Sequence, residues 1–269
     1  MPVLAGNPSD DVPSILAEGR SGVTTIYMSM SARHPHAQDA EYLRWHSFDC
    51  RPEQHRLPQL RASLRLVSTP ACRAARARSE GIYDSVDHVM TYFFADPAGL
   101  PSFAKLTEAL RSAGRKPYMD GRDGSEEMRL LPQLQTGLYR LDGMAAAPRI
   151  KVGADVLPWW PLRGAYLLVE RGQSPARDLT QVPGVGGAWW GPTFEPDAEF
   201  SARANQMAAA DLVTDELHVT YCFLDDDPVA VSEYLRPVLE KRWADIGLVP
   251  LLAAPFYPVV GCDFDRHLP

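Results

Sequence analysis

Apolar residues along this chain fall into two kinds of run. Short runs rich in β-branched and aromatic residues predict strands at TTIYMSMSA (24–32), LPQLRASLRL (57–66), HVMTYFFAD (88–96), LQTGLYRLDGM (134–144), RGAYLLVERG (163–172), VPGVGGAWWG (182–191), HVTYCFLDD (218–226) and VPLLAAPFYPVV (249–260). Apolar positions three and four apart predict helices. One covers 99–115, with Leu100, Phe103, Ala104, Leu106 and Leu110 on a stripe and Gly114 as a stop. Another covers 228–247, with Val231, Tyr234, Leu235, Val238 and Leu239. Pro228 suits its first turn, whereas Pro237 lies inside the pattern and is expected to kink or divide it. A third helix is expected from Asp39, read as its N-cap, to about Cys50; Arg51 precedes Pro52, which predicts a kink or break there.

The pattern occurs twice. His88, Val89, Phe93 and Asp96 match His218, Val219, Phe223 and Asp226 at an offset of 130 residues. Each half reads strand, connection, strand, strand, helix, then a closing extended stretch. With a helix in the first connection this is the β-α-β-β-α-β ferredoxin-like order. Its antiparallel sheet carries helices on one face and must bury the other, which two such sheets in one chain can do for each other. The connections differ, since Tyr27 to Pro58 spans 31 residues and Tyr166 to Pro183 only 17. The fold class expected is α+β, two tandem ferredoxin-like repeats packed into a pseudo-dimeric barrel. Residues 1–146 form a complete unit with a helix at 39–55, and 147–269 a unit whose first helix is shortened or lost.

The stretch EYLRWHSFDCRPEQHRLPQL (41–60) carries a further likeness. Glu41, Tyr42, Trp45, Pro52 and Leu57-Pro58 resemble the first-helix pattern of EthD-like proteins, in the dimeric α+β barrel superfamily. That superfamily also holds antibiotic-biosynthesis monooxygenases, muconolactone isomerase-like proteins and haem enzymes such as chlorite dismutase. The resemblance implies a barrel in which the space between sheet and helices holds an apolar ligand. Aligned on Pro52 and Pro58, the family histidine falls on Cys50; aligned on Tyr42, it falls on His46.

Charge and composition narrow the function. A formal net charge of -7 gives no global basic excess for a nucleic-acid backbone, so no nucleic-acid partner is expected. Arg61, Arg65, Arg73, Arg76 and Arg78 crowd one stretch, where a local anion patch is one reading and a solvated strand face and loop the plainer one. Nowhere do about 18 apolar residues run together, so no membrane span is expected. Four scattered cysteines, Cys50, Cys72, Cys222 and Cys262, form no CxxC pair. Without a secretory pattern at the N-terminus, they read as reduced thiols in a cytoplasm. No GxGxxG, GxxxxGK[ST], GxSxG or HExxH is present.

The candidate chemistry lies on the first helix. Helical spacing puts Tyr42, Asp49 and Cys50 on one side with His46. A carboxylate beside an imidazole fixes its tautomer and raises its basicity, so His46 and Asp49 are the candidate catalytic pair. Tyr27, Tyr42, Cys50 and Tyr92 are the candidate substrate-binding residues. An exposed helix pair and a buried structural thiol are the plainer readings of His46–Asp49 and Cys50. His34-Pro35-His36 with His46 or His55 could meet a metal only awkwardly, and no metal or cofactor is expected. Tyr27, Met28, Tyr92, Phe93, Tyr166, Trp189, Trp190, Tyr221 and Phe223 fall on strands and line either a solid core or an apolar cavity. Residues 116–132 read as a polar surface loop. Trp159 or Trp160 is expected to plug one barrel end or cover a chain–chain interface. Three readings result. The first is a cofactor-free enzyme or binder of a small apolar or aromatic compound. The second is a non-catalytic scaffold or interaction module, and the third a haem-binding barrel, with His88, His218 or His46 as the candidate axial ligand. A homodimer fits all three.

Overall fold

The computed structural model describes residues 21–34, 37–115, 133–173, 175–196, 198, 200, 216–260, 263, 264 and 266. Its strands are β1 (Thr25–Ser31), β2 (Leu60–Val67), β3 (Arg78–Ser79), β4 (His88–Phe94), β5 (Gln133–Arg140), β6 (Gly143–Ala146), β7 (Gly164–Arg171), β8 (Val185–Pro192), β9 (Leu217–Leu224) and β10 (Val249–Pro258). They join in the order β5-β1-β4-β2-β10-β7-β9-β8-β6, with β3 beside β10. Every pairing is antiparallel. The first part of the chain supplies β5-β1-β4-β2 and the second β10-β7-β9-β8, so the two parts are strung in the same order.

The ends of this path meet. Tyr139 of β5 bridges Thr193 beyond β8, the Phe194 amide donates to the Leu138 carbonyl at 3.1 Å, and the Asp142 amide donates to the Trp190 carbonyl at 3.0 Å. The crossing is close enough that a Cβ on Gly191 would overlap the Arg140 carbonyl oxygen, so this position needs glycine. The result is an α+β barrel.

Alternation along the strands divides the side chains into an inner and an outer set. Met28, Phe93, Trp189, Tyr221 and Phe223 point inward and are buried with aliphatic residues from both parts of the chain. The Phe93 ring lies edge-on to Trp189 at 5.4 Å and to Tyr221 at 6.0 Å, and Trp189 lies edge-on to Phe223 at 5.6 Å. The lumen is a packed aromatic core. Tyr27, Tyr92, Tyr166 and Trp190 occupy the opposite face, under the helices. Both faces of β4 and β9 are covered, which is why HVMTYFF and LHVTYCFL read as unbroken apolar runs.

The helices are α1 (Asp39–Trp45), α2 (Arg51–Gln54), α3 (Pro70–Ala74), α4 (Leu100–Ser112) and α5 (Pro228–Ile246). α5 is capped by the Asp227 carboxylate, which accepts from the Val229 and Ala230 amides, and stops at Gly247 in the left-handed conformation. Pro237 does not divide it. Pro237 and Glu233, whose carbonyl loses its usual amide partner, both lie on the exposed side, where water can satisfy that oxygen.

The irregularity expected near Pro52 takes the form of a π turn and not an end: α1 runs into a π-helical turn, His46–Cys50, and directly on into α2. There the Arg51 amide bonds the His46 carbonyl, one residue further back than in an α-helix, and the wider turn accommodates the proline. Asp39 is not the cap; Gln38 holds that place, and Asp39 is turned into the protein. Between β7 and β8 the chain makes only a 3-10 turn, Arg177–Gln181.

The expected 134–144 strand is two strands, β5 and β6, separated at the corner that closes the barrel. In the connecting segment Trp159 is 47% exposed, whereas Trp160 packs on the inner core. The Trp189 indole donates to the Ala154 carbonyl of this segment at 2.7 Å. Cys50, Cys72 and Cys222 are buried. Residues 116–132, Pro35, His36 and Cys262 lie outside the described residues. Among the described residues no helix is long and apolar enough to cross a membrane.

Candidate functional site

The outer face of β1, β4 and β2 is unusually polar for a covered surface. Pairing places Tyr27, Tyr92 and Ser63 side by side across the three strands. Arg65 lies one step along this face of β2, and His88 begins β4. The continuous helix α1–π turn–α2 crosses above. Leu43 anchors it on Val67, and Trp45 and Cys50 anchor it against Leu110 of α4. A helix held by its apolar side in this way turns its remaining inward groups onto the strands' polar row.

His46 is the centre of that contact. It is 5% exposed, and its Nε2 lies 3.1 Å from the Tyr92 hydroxyl. The Tyr92 hydroxyl donates in turn to Gln54 Oε1 at 2.7 Å. With Tyr92 spending its proton on Gln54, the His46 Nε2 carries a proton and donates, which leaves the ring lone pair on Nδ1. The Tyr42 ring stacks on the imidazole, with centroids 6.1 Å apart and planes 25° apart. Above Tyr42 lies the Arg65 guanidinium, 5.5 Å from the ring centroid. Tyr92 is wedged edge-on against Phe103 at 4.8 Å, with Tyr27 at 5.9 Å.

Burial pushes the Tyr92 phenol well above its usual range; Cys50 and the neighbouring phenols add to this, and Arg65 opposes it. Burial likewise takes Tyr27 up to about 12, against a hydrogen bond from Thr136. Both therefore serve as neutral phenols, Tyr92 as a donor. Five of the six residues singled out from sequence thus converge here: His46, Tyr27, Tyr42, Cys50 and Tyr92. Asp49 does not. It is exposed, and no Asp49 carboxylate lies against His46. A π turn holds more residues than an α turn, so the third residue on is carried round the helix away from the imidazole. The group that fixes the His46 ring is a strand tyrosine rather than a helix carboxylate.

Two further buried pairs flank this centre. Asp39 Oδ1 lies 2.5 Å from His88 Nε2 and also accepts from the His34 amide at 3.2 Å. Burial raises the Asp39 pKa, but the His88 and His34 hydrogen bonds, with the His88 and Arg33 charges, outweigh it and hold the carboxylate below its usual range. Burial lowers the His88 pKa, only partly offset by Asp39, so a neutral imidazole faces an ionised acid. On the other side Arg51 donates through Nε and Nη2 to the hydroxyl and carbonyl of Ser63, at 2.7 and 2.9 Å. His55 Nε2 reaches the same hydroxyl at 2.7 Å. Burial and the Arg51 charge lower the His55 pKa.

Gln54, Arg65, and the Asp39–His88 pair were not anticipated from sequence. Arg65 alternates with Ala62, Leu64 and Leu66 along β2, the signature of a solvated face, yet the covering helix leaves it 4% exposed. Arg73, by contrast, pairs with Asp87, and Arg78 pairs with Glu80. Of the described histidines considered for a metal, His34 offers its backbone to Asp39, while His55 is tied to Ser63. Among the described residues no group of three His, Cys, Asp or Glu side chains is arranged to hold a metal ion. His218 is the second residue of β9, on its outer face, opposite Glu170, in the other part of the barrel.

No family model matches the chain, and no curated protein matches it. Solved structures do. A dye-decolorizing protein from V. cholerae is 10% identical, with a TM-score of 0.44, over 92% of this chain and 99% of that one. A dye-decolorizing peroxidase from Bacteroides thetaiotaomicron is 10% identical, with a TM-score of 0.46, over 97% of both chains. A proposed monooxygenase from Fusobacterium nucleatum is 6% identical, with a TM-score of 0.44, over 89% of this chain and 96% of that one. Likeness at this level speaks to neither activity nor cofactor.

Proposed function

We propose that this chain takes a small apolar or aromatic compound between the helix at 39–54 and the β1–β4–β2 face, with His46 as the acid/base group. The observation that carries the reading is the buried His46–Tyr92–Gln54 chain of hydrogen bonds. A buried polar chain on a covered face is costly unless fully paired, and it holds one imidazole in one tautomer. Tyr92 and Gln54 take the orienting role that sequence gave to Asp49. Nδ1 is then the basic nitrogen, and general acid/base transfer is the reaction type the site supports. Tyr27, Tyr42 and Phe103 supply aromatic walls. In the same reading, residues 1–146 and 147–269 are two ferredoxin-like units. The second carries the Arg177–Gln181 turn where the first carries its helix, so the barrel has one such site. The shared strand order of the two parts supports this, as does the EthD-like pattern at 41–58.

A thermal-shift screen of aromatic compounds, run on the native chain and on His46→Ala, tests the proposal. A compound present at about 100 times its Kd should stabilise the native chain by about 2.7 kcal/mol, and His46→Ala should lose most of that gain. Equal stabilisation of both proteins would remove His46 from the site.

A further inference from the structure

Arg65 is the least explained charge in the described structure. It is 4% exposed, its Nε is sealed from solvent without a hydrogen-bond partner, and it forms no ion pair with any described residue. The side-chain contact described for it is the face of Tyr42. A second guanidinium, Arg51, stands nearby, held on Ser63. The two are close enough that the Arg65 charge, after burial, helps lower the Arg51 pKa. The acids around them are engaged elsewhere: Asp39 with His88 and the His34 amide, and Glu53 with Arg56 and Arg115. Burying a charge costs several kcal/mol unless it is paired, and breaking up a pair leaves that cost in full. Two cations, Arg51 on the helix that carries His46 and Arg65 on the strand beneath it, with the acids around them engaged elsewhere, therefore form a site with an unmatched positive charge.

We infer that the compound bound at the His46–Tyr92 site carries a carboxylate, received by the Arg65 guanidinium while its apolar body lies among Tyr27, Tyr42 and Phe103. The inference rests on the proposed site. A planar fork of N–H donors matches a carboxylate in two-point contact, which a lone ammonium or an imidazole cannot do. Tyr42 touches both the Arg65 guanidinium and the His46 imidazole, and so links the anion's place to the acid/base group.

The test compares benzoate and 2-naphthoate with their uncharged carboxamides, by calorimetric titration of the native chain, Arg65→Met and Arg65→Lys. The carboxylates should bind the native chain at least about tenfold more tightly than the amides, the lower end of what a charge-assisted pair contributes. Arg65→Met should abolish that preference; Arg65→Lys should restore it only in part. Without ligand, Arg65→Met should match or exceed the native melting temperature, because it removes an uncompensated buried cation. A carboxylate preference that survives in Arg65→Met overturns the inference, as does a clear fall in its unliganded melting temperature. Equal binding of acid and amide to the native chain overturns it while leaving the proposed site standing. Binding of neither removes the site and the inference together.

Discussion

Trp189→Ala is expected to destabilise the fold by about 3–5 kcal/mol, the range for deleting a large buried aromatic. The side chain is wholly buried in the lumen. Its ring meets Phe93 from the first part of the chain and Phe223 from the second, both edge-on. Its indole N–H also fastens the segment that joins the two parts, through the Ala154 carbonyl. Packing, aromatic geometry and a hydrogen bond are lost together, and a cavity is left where the two parts meet. Urea denaturation at neutral pH reads the loss as a lower midpoint at unchanged slope. Trp189→Phe, which keeps an aromatic ring but not the N–H, should cost much less. A Trp189→Ala loss under about 1 kcal/mol would mean that the lumen is not a packed core.

Acid should weaken the fold well above the range where carboxylates titrate. Burial, helped by the Arg242 charge and opposed by Asp142, lowers the His218 pKa from 6.5 to about 4. The unfolded chain therefore binds a proton below about pH 6.5 that the folded chain refuses until about pH 4. Stability from this group is full above the upper value, falls as pH drops through the window, and falls no further below it. The window corresponds to about 3 kcal/mol at about 1.4 kcal/mol per unit. His88 is displaced in the same direction and adds to the loss. Glu170, opposite His218 and also near Arg242 and Asp178, has its carboxyl pushed up by burial. A carboxyl displaced upward costs stability as pH rises through its titration and so partly offsets the histidines. Urea midpoints between pH 7.5 and 4 should fall for the native chain, and His218→Gln should flatten the fall. A pH profile identical in His218→Gln would contradict the assignment of His218 as a buried neutral group.

Much of the architecture was legible because strand periodicity and strand order are written locally. HVMTYFF and LHVTYCFL could hardly be anything but doubly covered strands, and Pro228 and Gly247 marked the ends of α5 closely. The candidate site was legible in its members but not in its wiring. His46, Tyr42 and Cys50 share a helix, so their proximity follows from spacing. The π turn that separates His46 from Asp49 has no local signature beyond Pro52, and a single extra residue in a turn changes which side chains meet. Arg65 was misjudged for a different reason. Alternation shows that Arg61, Ser63 and Arg65 share one face of β2. It cannot show that a helix 20 residues earlier will lie over part of that face, leaving Arg61 exposed and Arg65 buried. The Asp39–His88 pair joins residues 49 apart in sequence and is visible only once β4 and α1 are packed.

The central claim is that the ligand lies between the helix at 39–54 and the outer face of β1, β4 and β2. Chemical-shift mapping of the isotope-labelled chain, titrated with an aromatic compound that raises its melting temperature, tests it most directly. Saturable shifts should concentrate on 39–54 and on the amides around Tyr27, Ser63, Arg65 and Tyr92, with the β7–β9–β8 face and α5 silent. Saturable shifts centred on α5 and that second face would contradict the claim, whatever the affinity.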